Sequence, residues 1–125
     1  MSYSNKQWSF LKDVSLLITF IASNGWKATA GDAYRSNAEQ DRLYNKGLSK
    51  ARAGHSRHNS RMAVDLNLWD DNGDWMQIQL DSLGREQHQA KVQFIGDYWK
   101  SLNPKNRWGG EFKSLYDYMH FERGD

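Results

Sequence analysis

Apolar residues recur at three- and four-residue steps through Trp8, Leu11, Val14, Ile18 and Ile21 or Ala22, with Ser15 on the same side, so the pattern predicts an amphipathic helix over about Gln7 to Ser23. Ser4 or Asn5 is placed to cap it, Asn24 and Gly25 are placed to stop it, and its apolar stripe is expected to face the core. The run Trp26 to Tyr34 alternates weakly and predicts a short strand that hands Tyr34 and Arg35 to the next element. Ser36 to Glu39 forms a capping box, and a short helix should follow to Asn45, with Leu43 and Tyr44 inward and Gly47 as its stop. From Leu48 to Arg61 no period holds. This is a loop of small, basic and histidine-bearing composition.

Met62 to Trp69 then alternates cleanly, with Met62, Val64, Leu66 and Leu68 on one face of a strand and Ala63, Asp65 and Asn67 on the other. Asp70 to Asp74 has turn chemistry, and Trp75 to Leu80 is a returning strand or an irregular link. Helical spacing returns from Glu86 to Leu102 through Val92, Ile95, Tyr98, Trp99 and Leu102, until Asn103 and Pro104 end it. A glycine turn over Arg107 to Phe112 and a final strand over Tyr116 to Glu122 complete the chain. The elements predict a small α+β domain: an antiparallel sheet with helices packed on one face.

Length and composition sharpen this picture. The 125 residues make one domain, 1–125, and 10 glycines with a single proline give no sign of a linker. A mean hydropathy of -0.90 would suggest disorder if the net charge were high. The formal charge is only +2, and 6 Trp, 6 Tyr and 5 Phe supply apolar surface that unstructured chains rarely carry. Acidic and basic residues are interspersed, which gives a nucleic-acid partner little support. The longest apolar stretch, Val14 to Ala22, is far short of the roughly 20 residues of a membrane helix, so no membrane insertion is expected. The amino terminus has no signal-peptide pattern, and the expectation is a protein made in a cytoplasm.

The absence of cysteine excludes disulfides, thiolate metal sites and cysteine nucleophiles, so a metal site must use histidines and carboxylates. His58, at the end of the basic loop, is seven residues before Asp65 on the polar face of its strand, and His120 lies far off in the last strand. Two imidazoles and a carboxylate are a normal catalytic zinc set with a fourth position left for water. Asp117, three residues before His120, would stand beside that water as a general base. Glu122 falls on the same strand face as His120 and would bind a ligand imidazole or orient the base.

Ser56-Arg57-His58 followed by Ala63-Val64-Asp65, then Trp108-Gly109-Gly110 and Asp117 with His120-Phe121-Glu122, resembles the signature of zinc peptidases that cut peptidoglycan stem peptides. These are the L-alanyl-D-glutamate endopeptidases of phage endolysins and their D-alanyl-D-alanine peptidase relatives. Tyr34-Arg35-Ser36 with Glu39 and Gln40 matches the arginine-bearing segment ahead of the metal site, so the resemblance spans about Gly31 to Glu122. It implies His58, Asp65 and His120 as zinc ligands, Asp117 as general base, and Arg35 as the cation that polarises the scissile carbonyl. Ser56 is a candidate hydrogen-bonding group in the site, and Trp108 a candidate substrate contact or supporting residue. His55 competes with His58 as a ligand; the seven-residue distance to Asp65 favours His58 and leaves His55 as a substrate contact or a bystander.

Many relatives have a glycine between the first histidine and the aspartate, where this chain has Asn59 to Met62. An aspartate at 117, in place of the glutamate of the carboxypeptidase branch, points to cleavage between L-alanine and D-glutamate rather than removal of D-alanine. The partner implied is the peptidoglycan stem peptide, acted on by a monomer that waits in the host cytoplasm until lysis and then reaches the cell wall. The competing classes are a non-catalytic peptidoglycan-binding module, a nucleic-acid protein relying on the Lys46 to Arg61 loop, and a glycosidase. The last needs two facing carboxylates and leaves the histidines unexplained.

Overall fold

In the computed structural model the described residues are 2–31, 61–76, 82–112 (82–87 as backbone) and 117–124, with 38, 41, 42, 45 and 46 between. Helix α1 is Tyr3–Ser23 and begins earlier than its apolar period suggests, because Ser2 rather than Ser4 or Asn5 is the cap: its hydroxyl accepts the Asn5 N–H at 3.2 Å. At the other end Gly25 takes φ 77°, and the N–H groups of Gly25 and Trp26 return to Ala22 O and Ile21 O.

The buried seam of α1 is Phe10, Val14, Leu17 and Ile21, and this corrects the expected stripe. Trp8 is 58% exposed, Leu11 56% and Ile18 47%. The helix is apolar on two stripes about 100° apart, since Phe10 and Leu11 are adjacent and each residue turns about that angle. Periodicity alone could not choose between them. The neighbouring helix chooses: the Phe10 ring meets Trp99 edge-on at 5.7 Å, and Phe20 stacks on Tyr98 at 3.9 Å.

Strand β1 (Lys27–Ala30) pairs antiparallel with β2 (Ala63–Trp69), and the Gly31 N–H extends the ladder to Asp65 O at 2.8 Å. Tyr34 and Arg35 lie outside the described residues. Of the expected short helix, Ala38, Asp41, Arg42 and Asn45 are helical. Trp75–Met76 is a strand, β3, returning along the end of β2, and helix α2 (Ser82–Leu102) starts ahead of the expected Glu86. The segment read as a glycine turn opens with a further strand, β4 (Asn106–Trp108), before a 3-10 turn at Gly109–Glu111. The last strand, β5, is only His120–Arg123, and Tyr118 and Met119 form a turn instead of extending it. The sheet order is β1-β2-β5-β4, with β3 beside β2, and all of these pairings are antiparallel.

Cross-strand partners share a face. Val64, Phe121 and Trp108 therefore align on one side with Leu66, Leu68 and Met76, under both helices. Ala63, Asp65, Asn67 and Trp69 point to the other side, together with His120 and Glu122. The expected architecture holds, with the candidate site on the sheet face away from the helices. Among the described residues no helix is long and apolar enough to cross a membrane.

Asp70 closes the β2–β3 turn. Its Oδ1 accepts the N–H groups of Asp74 at 2.8 Å and Asn72 at 2.9 Å, while Oδ2 faces Lys91 Nζ at 3.4 Å. The Asp74 hydrogen bond is the largest influence; it outweighs desolvation and, with those of Asn72 and Lys91, holds the carboxyl below its ordinary 3.8. A lowered folded-state value means stability that is present above the ordinary value and lost as pH falls through the lower one. The difference in urea midpoint between the wild type and Asp70→Asn should therefore be larger at pH 7 than at pH 3.

Candidate metal centre

The β2–β5 register sets Asp65 directly opposite His120. His120 Nδ1 lies 3.0 Å from Asp65 Oδ1, and Nε2 lies 2.6 Å from Glu122 Oε1, two residues along the same strand face. Glu122 in turn receives the guanidinium of Arg107, its partner in the β4–β5 register. Asp65, His120, Glu122 and Arg107 thus form a charged row across three strands. Phe112 tilts over the imidazole with ring centroids 5.7 Å apart.

Burial pulls the His120 pKa down, but the hydrogen bonds and charges of Asp65 and Glu122 outweigh it and push the value up to about 9. Glu122 is raised by desolvation, yet contact with His120 and Arg107 leaves its carboxyl below its ordinary value. Without a cation the imidazole is a protonated link between two carboxylates.

Asp117 reaches the same place by a different route. On a continuous strand, residues three apart point to opposite faces, so the expected strand from Tyr116 would have separated Asp117 from His120. Instead the chain turns. Asp117 N–H donates to Gly109 O at 3.0 Å, His120 N–H to Asp117 O at 3.2 Å, and Met119 N–H to Asp117 Oδ1 at 3.1 Å. Gly109 permits this approach: a Cβ there would collide with the Asp117 carbonyl and come within 2.9 Å of His120 Cβ.

Trp108 supports the turn from beneath. It is buried, with Nε1 donating to Tyr118 O at 2.8 Å. Of the two roles its motif suggested, substrate contact is excluded by burial and support remains. Its ring lies where a Cβ on Gly96 would be, so α2 approaches the sheet at a glycine.

One ligand atom from each of Asp65, Asp117 and His120 can be chosen so that all three lie within 4.8 Å of one another. Ligands about 2.1 Å from a zinc ion sit up to roughly 4 Å apart, so a small contraction would let Asp65 and His120 share a cation, with the Asp117 carboxylate close beside it. The Glu122 contact at Nε2 leaves Nδ1 directed at Asp65, the arrangement in which a carboxylate fixes a ligand imidazole. The residues fit a divalent cation. His58, His55, Ser56 and Arg35 lie outside the described residues.

Sequence reasoning missed Arg107, Phe112 and the glycine contact, because each depends on β4 and the turn after it. A clue was the Trp108-Gly109-Gly110 block itself, since paired glycines beside a large ring signal close backbone approach.

A family model described as D-alanyl-D-alanine carboxypeptidase matches residues 49–123, the stretch that carries every candidate site residue except Arg35. The chain belongs to this family. A curated member-like relative, the peptidoglycan L-alanyl-D-glutamate endopeptidase CwlK of Bacillus subtilis, is 30% identical over 110 residues, covering 81% of this chain and 63% of that protein. The chain thus spans less than two thirds of that relative's length. The fold is similar to the crystal structure of the Serratia marcescens L-Ala D-Glu endopeptidase ChiX, with a TM-score of 0.58 and 22% identity over 91% of this chain and 77% of that one. It is also similar to the LdcB LD-carboxypeptidase, with a TM-score of 0.55 and 19% identity over 92% of this chain and 61% of that one. Both likenesses support the family architecture of sheet and helices.

Proposed function

We propose that this protein is a zinc-dependent peptidoglycan peptidase that hydrolyses the L-alanine to D-glutamate amide bond of the stem peptide. The observation that carries the reading is the convergence of Asp65, Asp117 and His120 on the side of the sheet away from the helices, in a chain of this family. Asp65 and His120 would hold the metal with His58. When bound, zinc acidifies water to a pKa near 7 and polarises a carbonyl as a Lewis acid.

The chain's own groups do the rest. Asp117, fixed by the turn, takes the proton of the attacking water and passes it to the leaving amine. Glu122 holds the His120 ring, and Arg107 holds Glu122. Arg35 stabilises the oxyanion of the tetrahedral intermediate. The likeness to CwlK and the aspartate at 117 favour the endopeptidase bond, while the family description makes removal of terminal D-alanine the second reading.

Mass spectrometry of purified peptidoglycan after digestion separates them. Free peptides beginning with D-glutamate, with L-alanine ends left behind on the glycan, are expected. Release of D-alanine alone would replace the endopeptidase reading by the carboxypeptidase one. A chelator should stop either reaction and added zinc restore it.

A further inference from the structure

Besides Trp8 on α1, two of the six tryptophans, Trp69 and Trp75, belong neither to the hydrophobic core nor to the partly buried residues packed against it. Both lie on the sheet face that carries the candidate site. The registers align Lys27, Trp69 and Trp75 across β1, β2 and β3. Along β2, Trp69 is four residues from Asp65 on the same face, a distance of about 13 Å at the usual strand rise. The indole rings are stacked, with centroids 6.5 Å apart and planes at 27°. Lys27 Nζ stands 4.6 Å from the Trp69 ring centroid. Between this cluster and Asp65, the Asn67 amide donates to Thr29 Oγ1 at 3.3 Å.

A cross-strand aromatic pair stabilises a hairpin, which accounts for the contact between the rings. It does not account for a Trp75 that is 47% exposed on a strand whose pairing, among the described residues, is with β2 alone. An exposed indole backed by a second ring is a platform for a flat, neutral ligand that has C–H groups on its face and hydrogen-bonding groups at its edge.

We propose that Trp75, backed by Trp69 and Lys27, stacks an N-acetylated sugar ring of the peptidoglycan glycan strand, so that the attached stem peptide runs along β2 toward Asp65 and His120. This rests on the peptidoglycan reading and extends it from the peptide to the glycan. A pyranose presents partly positive C–H groups to the negative face of an indole. Two rings and one lysine are too small a patch for a protein partner, which needs roughly 800 Å² per side. They also lack the row of cations that a nucleic-acid backbone requires. The same-strand continuity with the metal centre gives a polymer with sugars and peptides a reason to touch both places.

The test compares the full-length, zinc-loaded wild type with Trp75→Ala and Trp75→Phe on two substrates: glycan-bearing peptidoglycan fragments and a synthetic stem peptide without sugar. Trp75→Ala should lose roughly tenfold in kcat/KM on the glycan-bearing fragments, mainly through KM, and keep its rate on the free peptide. Trp75→Phe should recover most of the loss. Equal rates for wild type and Trp75→Ala on the fragments, or an equal loss on both substrates, would overturn the subsite. Binding of a soluble N-acetylglucosamine tetramer, followed by tryptophan fluorescence, tests the platform independently of hydrolysis. Binding by the wild type that Trp75→Ala lacks supports the platform even where neither substrate is cut, an outcome that would count against the peptidase reading alone. No binding by the wild type would overturn the platform.

Discussion

Asp117→Ala is expected to keep its zinc and lose roughly 10²–10⁴-fold in turnover, the usual cost of removing a general base. Asp65→Ala and His120→Ala are expected to lose tight zinc binding as well as activity, because each would delete a coordination bond from the proposed set of His58, Asp65 and His120. The contrast follows from how the carboxylates are held. Asp65 faces His120 in the strand register, whereas Asp117 is presented by a turn that its own backbone ties to Gly109 and its Oδ1 ties to Met119 N–H. Metal content by mass spectrometry and turnover on peptidoglycan, measured on the same preparations, check the prediction. A fall of zinc with activity in Asp117→Ala would make Asp117 a ligand.

The largest effect on stability is expected at Arg123. Its side chain is 7% exposed and joins three elements. It donates to Asp13 Oδ2 on α1 at 2.6 Å, to Ser9 Oγ at 3.2 Å, and to Asn106 Oδ1 on β4 at 2.5 Å. Asn106 Nδ2 in turn donates to Trp99 O at 2.9 Å and to Asp13 Oδ2 at 3.2 Å, so the cluster also reaches α2. Arg123→Ala leaves Asp13, only 15% exposed, without its guanidinium, and leaves the Asn106 carbonyl without a donor. Removing one partner of such a pair costs ~3–5 kcal/mol. With an unfolding entropy of about 2.1 cal/mol/K per residue, the melting temperature should fall by roughly 10–20 °C. The double variant Asp13→Ala with Arg123→Met should lose less than the sum of the two single changes, since no uncompensated charge remains. Thermal and urea unfolding of the four proteins check both statements.

The Arg123 cluster also shows where local reading stops. A charged residue next to Glu122 at the end of a strand reads as solvated, and only the meeting of α1 with β4 and β5 supplies the partners that make its burial tolerable. Arg107 is the counter-example: it stays exposed in part, and its place beside Glu122 follows from a strand that the glycines at 109 and 110 concealed. The two stripes of α1 make the same point with apolar residues. Both satisfy a helical period, and the ring of Trp99 decides which is buried.

Where a signal is local and repeated, the sequence by itself determined the outcome. The alternation of Met62 to Leu68 gives β2 its two faces and puts Asp65 on the one away from the helices. Asn103 and Pro104 stop α2 at Leu102, and the lack of cysteine restricts any cation to imidazole and carboxylate. What pairs with what was decided by the tertiary structure. His120 meets Asp65 across a separation of 55 residues, and Asp117 joins them through a turn where the local pattern reads as strand. Periodicity records how one segment presents its side chains. Register and close approach depend on surfaces that exist only once distant segments have packed, so a site assembled from β2, β5 and the turn before β5 has no local pattern of its own.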